Sequence, residues 1–577
     1  MALIVVGAYL GDRAGVMFAP AVMLGMALGF GAFMLARLGR RAVWDRIETV
    51  TFALIVAITF IWLLWIARPS FFPLGGGPDL THHLLLINYI EAHWRLVHDP
   101  GVQEFLGEMV QYTPGSHILT ALAGAWSRSN SLHALHAVMA ASTALKAGFV
   151  FLIAMRVLPR DLPRVPIAAV ASISLFASQS YFLGSFAQYS FLAQVVAEYF
   201  ALAMFWTLIS WDQEHSRWSM AMTGLLGAAL FLTWPIVIGP PLVVLAALVV
   251  LPDTTDATDF WTRAVDATVA VVPIAIVAGL FSIGRMGYVV IAGTGGEVVT
   301  PTVKAYGWTF LVLSSVGLLV ATANLKVRTT SDANLKSGTS SRTLALFAGA
   351  ILLQAGALYL FAHARENDPY MARKMFYMLF YTQAVGVAIA VGTAARTIGG
   401  AAVNGPPTAF APQGRFGESR RNLWRRRKGE HYVPNVVAWA IAVAALFFVG
   451  RPLIGASKSL IVAKHPATSL ELEQAGKWAR KHVDPHCVEY LVGDDNTAYW
   501  LHLAVLGNPR RGSRTGDNAT YELTPALVRW LTPGGFPYAI ADLRVLPTDI
   551  KAASDIVAQF GSVALVKRRG PSSCQSG

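Results

Sequence analysis

The apolar runs of this chain limit what it can fold into before any motif does. Stretches of sufficient length with few charges recur at 14–36, 48–67, 132–155, 165–185, 188–210, 219–234, 235–251, 266–284, 305–322, 342–362, 374–393 and 434–450. A helix needs about 20 such residues to cross a hydrocarbon core about 30 Å thick. The pattern predicts a polytopic α-helical membrane protein of about twelve transmembrane helices, because a spanning helix satisfies its own backbone groups in lipid. Composition agrees, with 55% hydrophobic and only 14% charged residues, against about 25% charged in soluble proteins. The opening MALIVVGAYLG is too short to cross and lacks the basic region of a signal peptide. It reads either as the end of a helix begun upstream of Met1 or as a short apolar terminus at the interface.

Lys and Arg near span ends resist translocation, so their distribution orients the chain. Arg37, Arg40 and Arg41, then Arg156, Arg160 and Arg164, then Lys326, Arg328, Lys336 and Arg342 fall in alternate loops, in phase with WRRRK at Trp424–Lys428. These loops are expected to be cytoplasmic. The opposite, outer face then holds the loops 68–131, 285–304 and 363–373 and everything after Arg451, in a plasma-membrane protein. The net charge of +13 is accounted for by orientation and anionic lipid rather than by nucleic acid.

Composition shifts near Pro452, dividing a transmembrane domain, 1–451, from a small C-terminal extracytoplasmic soluble unit, 452–577. LELEQAGKWARKHV has a helical apolar period, CVEYLVGDD reads as a buried strand and NTAYWLHLAVLG as helix. PALVRWL then reads as helix, YAIADLRV as strand, DIKAASDIVAQFG as helix and SVALVKRR as strand. The alternation predicts a small α/β domain. Asp494 and Asp495 follow a strand, a place for ligand-binding residues or for a solvated turn. Cys487 and Cys574 are the two cysteines. An oxidising compartment permits their disulfide, but spacing alone does not establish it.

The sequence has no phosphate-binding Gly-rich loop ending in Lys-Ser/Thr, no paired zinc-type cysteines and no HExxH. Polar chemistry gathers instead in the outer loops, where function concentrates on a rigid scaffold. FFPLGGGPDLTHH at Phe71–His83 leaves a span through flexible glycines and sets down Asp79, a candidate catalytic base, with His82 and His83. These three also suggest a metal site, though adjacent histidines point apart on a helix. LLLINYIEAHWRLV follows, with Leu84, Leu85, Ile87, Ile90, Trp94 and Val97 on one apolar face, as in a helix lying flat on the membrane. In QYTPGSHILTAL, Tyr112, Pro114 and His117 fall where the chain re-enters toward the bilayer, at the rim of a cavity.

A second cluster, HARENDPYMARK at His363–Lys374, gathers Arg365, Arg373 and Lys374 with Glu366 and Asp368 between two spans. Arg and Lys there suit a lipid phosphate at headgroup depth, and a solvated loop balancing its own charges is the plainer reading. Arg285, Lys304 and Tyr306 are weaker candidates on the same side. Within spans, Lys146, Gln188, Glu198 and Gln354 are expected to face the bundle interior, with Lys146 and Glu198 in structural pairing. Trp234-Pro235 through Pro240-Pro241 reads as a reversal between spans, with Trp234 near the cavity.

This order of parts resembles the membrane-embedded glycosyltransferases of the GT-C superfamily, and within it the actinobacterial arabinofuranosyltransferases of the galactan-priming type. Asp79, Tyr112-Thr113-Pro114-Gly115 and the Trp234 break carry the likeness, while His82-His83 depart from it and leave the donor sugar open. The resemblance implies an inverting, polyprenyl-phosphate-sugar-dependent transfer to a cell-envelope glycan or glycolipid, with arabinofuranose one candidate sugar. Asp79 is then the general base, Arg365, Arg373 and Lys374 hold the donor phosphate, and His82, His83, Tyr112, His117, Trp234, Glu366 and Asp368 shape the sugar and acceptor pocket. No metal cofactor is required, and a divalent cation is compatible with the chemistry. Two competing readings are a transporter or flippase for a lipid-linked glycan and a non-catalytic scaffold for envelope synthesis. A transporter is expected to show repeats and midplane sites, neither of which stands out here. High Ala, Gly, Val and Arg usage suggests a GC-rich bacterium.

Overall fold

The computed structural model describes residues 1–39, 46–75, 78–99, 102, 106–160, 162–177, 182–251, 260–283, 307–327, 338–403, 439–441, 443–447, 451, 454–455, 457–461, 466–507 and 521–574. Arg285, Lys304, Tyr306 and the basic run 424–428 lie outside them, as do the side chains of Asp79 and Gln188.

The membrane part is helical: α1 Ala2–Arg13, α2 Pro20–Gly39, α3 Arg46–Ile66, α4 Pro78–His93, α5 Gly115–Ser127, α6 Ser131–Val157, α7 Arg164–Ser174, α8 Leu192–Glu214, α9 Arg217–Thr233, α10 Gly239–Val250, α11 Phe260–Ser282, α12 Trp308–Val327, α13 Gly338–His363 and α14 Tyr370–Val403. Among the described residues, six helices are long and apolar enough to cross a membrane, and four shorter apolar helices accompany them. The chain is a multi-pass membrane protein. Burial sorts the helices by neighbour. α6, α8 and α14 lie in the middle of the bundle, whereas α3 exposes Leu54, Ile58, Ile61 and Trp65, as a lipid-facing helix does.

One local expectation of the membrane part changes. The α4 segment does not lay its apolar face on a membrane: Leu84, Leu85, Ile87 and Ile90 are all buried within the protein. α4 packs on α5 and beneath the C-terminal unit, so protein rather than lipid covers its apolar side. The opening residues form α1, whose Ile4, Val5, Ala8 and Tyr9 are buried among α2, α5 and α9.

The C-terminal unit comprises α15 Leu470–His482, β1 Val488–Leu491, α16 Asp495–Trp500, α17 Leu523–Leu531, β2 Tyr538–Asp542, α18 Thr548–Ala552, β3 Ser554–Phe560 and β4 Val563–Arg568. The sheet runs β1-β2-β4-β3, with β1 and β2 parallel and the other pairs antiparallel. α15 starts on Ser469, which accepts from the Leu472 amide at 3.2 Å, and carries acids in its first turn and bases in its last, matching its dipole. Asp494 caps α16 by accepting from the Thr497 amide at 2.8 Å, the solvated-turn reading of that residue. The stretch 549–561, expected as one helix, is the short α18 followed by strand β3. Phe560 pairs with Val563 across a two-residue turn at Gly561, whose φ of +59° suits glycine, so a hairpin with β4 overrides the helical period.

Cys487, immediately before β1, is disulfide-bonded to Cys574, closing a sequence separation of 87 residues. Cys574→Ser is expected to lower the stability of the C-terminal unit by about 2–4 kcal/mol, chiefly by freeing the unfolded chain. Denaturant unfolding followed by tryptophan emission, with and without reductant, checks this, and a variant as stable as the oxidised wild type would contradict it.

Candidate active site

α4 begins with Pro78, whose fixed φ suits a first helical position, and places Asp79 in its first turn. Positions 82 and 83 follow one turn later. His83 Nδ1 lies 2.9 Å from His117 Nε2, and the Tyr112 ring stands edge-on to both imidazoles at 5.1 and 5.5 Å. His117 is fully buried. Burial pushes its imidazole well below the ordinary histidine range, and neighbouring His83 adds to the shift against an opposing contact with the Thr113 backbone.

His117 therefore stays neutral in the native protein, while the unfolded chain protonates at about pH 6.5. Below that pH the unfolded state binds more protons, so stability falls as pH drops through it. Thermal unfolding between pH 8 and 5 should show this decline, and His117→Gln should flatten it. An undiminished slope in the variant would assign the decline elsewhere.

The re-entrant turn is fixed against the end of α9. Thr113 Oγ1 donates to the Thr233 carbonyl at 2.8 Å. Gly115 lies so close to α9 that an added Cβ would stand 2.9 Å from the Leu232 carbonyl oxygen. The next residue, Trp234, leaves the helix in an extended conformation before the turn Pro235–Ile238. Its indole faces Lys374 of α14, whose ammonium is 5.5 Å from the Trp234 ring centroid, 3.9 Å from Phe191 and 4.3 Å from Tyr370. Lys374 is only 7% exposed, so its charge sits in an aromatic cradle where cation–π attraction offsets part of the lost hydration.

The rest of the basic cluster is disposed differently. Arg365 is exposed, with its guanidinium 4.2 Å over the Phe361 ring. Arg373 pairs with Asp368 at 2.7 Å, and Glu366 is exposed at a left-handed φ of +57°. Of the residues singled out in the sequence, the fold thus joins His83, Tyr112 and His117 in one group and Trp234 with Lys374 in another, linked through Thr113 and Thr233. Arg365, Glu366 and the Arg373–Asp368 pair stay outside that line of contacts.

His82 turns to other partners. Its Nδ1 is 2.8 Å from Glu108 and its Nε2 2.8 Å from the Tyr499 hydroxyl. Glu108, Phe191, Tyr370 and Tyr499 escaped the sequence reading. Phe191 and Tyr370 did carry a signal, as aromatic residues at the start of apolar spans on the face bearing the Asp79 segment. Deeper in the bundle Lys146 is paired with Glu198 at 2.8 Å, and Gln354 donates to the Ile236 carbonyl just beyond Trp234. The one group of three metal-type ligands among the described residues contains both disulfide cysteines with Asp484, so it offers no thiolate.

No protein-family model and no curated protein matches the chain. Among solved structures it is similar to ArnT from Cupriavidus metallidurans bound to undecaprenyl phosphate, at 13% identity and a TM-score of 0.48, over 89% of this chain and 97% of that one. It is also similar to the oligosaccharyltransferase AglB from Archaeoglobus fulgidus, in complex with an inhibitory peptide and a dolichol-phosphate, at 12% identity and a TM-score of 0.49, over 87% and 70% of the two chains. A third likeness is to the arabinofuranosyltransferase AftD from mycobacteria, at 14% identity and a TM-score of 0.48, over 90% of this chain and 40% of that one. The chain thus spans about two fifths of AftD.

Proposed function

We infer that this protein is a GT-C-type membrane glycosyltransferase that moves a sugar from a polyprenyl-phosphate donor to a cell-envelope glycan or glycolipid at the outer face. The observation that carries this reading is Lys374, a buried cation walled by Phe191, Trp234 and Tyr370 at the meeting of three helix ends. Such a cradle suits an anionic headgroup arriving with an apolar tail. Hydrogen bonds and charge act there in low dielectric, where stabilisation of a leaving phosphate is strongest.

In the reaction, Asp79 accepts the proton of the acceptor hydroxyl, and the oxygen attacks the anomeric carbon. The bond from that carbon to the phosphate oxygen breaks on the opposite side, inverting the centre. The phosphate leaves with the bonding pair toward Lys374, and Arg365 and Arg373, the latter paired with Asp368 until lipid arrives, are assigned to the incoming headgroup. His83 and Tyr112, backed by the buried His117, shape the sugar pocket, and His82, engaged by Glu108 and Tyr499, shapes the acceptor side. Arabinofuranose is one candidate sugar, and a monophosphate leaving group can be neutralised by side chains, so no metal is required and a divalent cation is compatible with the chemistry.

The test uses purified protein in lipid nanodiscs with a panel of polyprenyl-phosphate sugars. Wild type is expected to transfer or hydrolyse at least one donor. Lys374→Met should lower kcat/KM for that donor by about 10- to 100-fold, the worth of a charge-assisted contact. Donor binding without turnover, together with movement of the lipid between leaflets, would replace this reading by a flippase.

A further inference from the structure

His82 is held from both sides by residues far apart in the chain. Glu108, which offers its carboxylate to Nδ1, belongs to the turn Gly107–Gln111. Tyr499, which meets Nε2, belongs to α16 of the C-terminal unit, 417 residues away. A carboxylate only accepts, so Nδ1 donates to Glu108, and the Tyr499 hydroxyl, which can donate or accept, meets Nε2. The order Glu108, His82, Tyr499 thus holds the orientation of a ring on α4, one turn beyond position 79. Positions three apart on a helix share a face.

A second strut runs in parallel. His133, at the start of α6, lies 2.8 Å from the Ser70 carbonyl through Nδ1 and 3.4 Å from Glu473 through Nε2. Glu473 belongs to α15 and also meets Asn130 at 3.1 Å. Burial pushes its carboxyl up, but bonds and charge from His133 and Lys477 outweigh that and hold it low. The C-terminal unit therefore grips both the chain leading into α4 and α4 itself.

We propose that Tyr499 is a positioning residue for the transfer reaction, acting through His82 to hold the first turn of α4, and with it Asp79, in working register. This rests on the glycosyltransferase reading of Asp79. A base displaced by about 1 Å loses on the order of 10²-fold in rate, so a site on α4 gains from locking its neighbours with a further tier of hydrogen bonds. The C-terminal unit is then a component of the active site.

The test compares full-length wild type, Tyr499→Phe, His82→Gln and the double variant in nanodiscs. Tyr499→Phe keeps the ring contacts with His82 and Tyr521 and deletes only the hydroxyl. The expected result is a fall in kcat of about tenfold with the donor KM unchanged. The double variant should be no slower than the worse single one. Hydrogen exchange should quicken over 78–93 in Tyr499→Phe while the melting temperature holds. Unchanged kcat and exchange in Tyr499→Phe, or losses that multiply in the double variant, would overturn the proposal. If wild type transfers no sugar from any donor, the reading of the reaction fails. Exchange over 78–93 then decides the role of Tyr499 by itself, faster exchange supporting it and unchanged exchange sinking it.

Discussion

Asp79→Asn is expected to cut sugar transfer by about 10²–10⁴-fold, the range supplied by a general base, while the protein folds and binds donor lipid as before. The substitution keeps size and hydrogen-bonding capacity in the first turn of α4 and removes the ability to take a proton. The loss should therefore appear in kcat and leave donor affinity near wild type. Lys374→Met has the opposite signature, because its charge meets the donor phosphate before and during bond breaking. Steady-state transfer with matched donor-binding measurements in nanodiscs separates the two. Full activity in Asp79→Asn would remove the residue from the chemistry and with it the base proposed here. A protein that also stopped binding donor would point to a structural role for the α4 entrance.

The legible parts of this molecule are those written in local spacing. Apolar run length marks the six described helices long enough to span, and period marks α15 and α17 as helices and β1, β2 and β4 as strands. The segment 549–561 misleads because Ile550 and Ala553 keep a helical period while the deciding contacts, β3 with β4, close through Gly561. The candidate site divides in the same way. His83 and His117 are only 34 positions apart, with Tyr112 between them, and their convergence needs only a helix and a re-entrant turn. The cradle of Lys374 draws on the ends of α8, α9 and α14, and the partner of His82 on α16, so those neighbours are products of tertiary packing. An apolar face is ambiguous for a related reason. α4 has one, but the sequence does not say whether lipid or a C-terminal unit nearly 400 residues further on covers it.

The largest stability effect is expected inside the bundle. Glu198 of α8 is completely buried and accepts from Lys146 Nζ at 2.8 Å, Gln194 Nε2 at 2.9 Å and the Tyr381 hydroxyl at 2.5 Å. These contacts tie α6, α8 and α14 together where solvent has no access. Glu198→Gln leaves the Lys146 ammonium buried without its counter-charge, and Lys146→Met leaves the carboxylate in the same condition. Each should cost about 3–5 kcal/mol, the usual penalty for breaking a buried pair from one side. The double variant Lys146→Met/Glu198→Gln removes both charges and keeps an amide for Tyr381 and Gln194, so it should be more stable than either single variant. Denaturant unfolding in a fixed detergent, read as a double-mutant cycle, measures this coupling. Losses that simply add would mean that the two residues contribute independently and that the pair does not act as a unit.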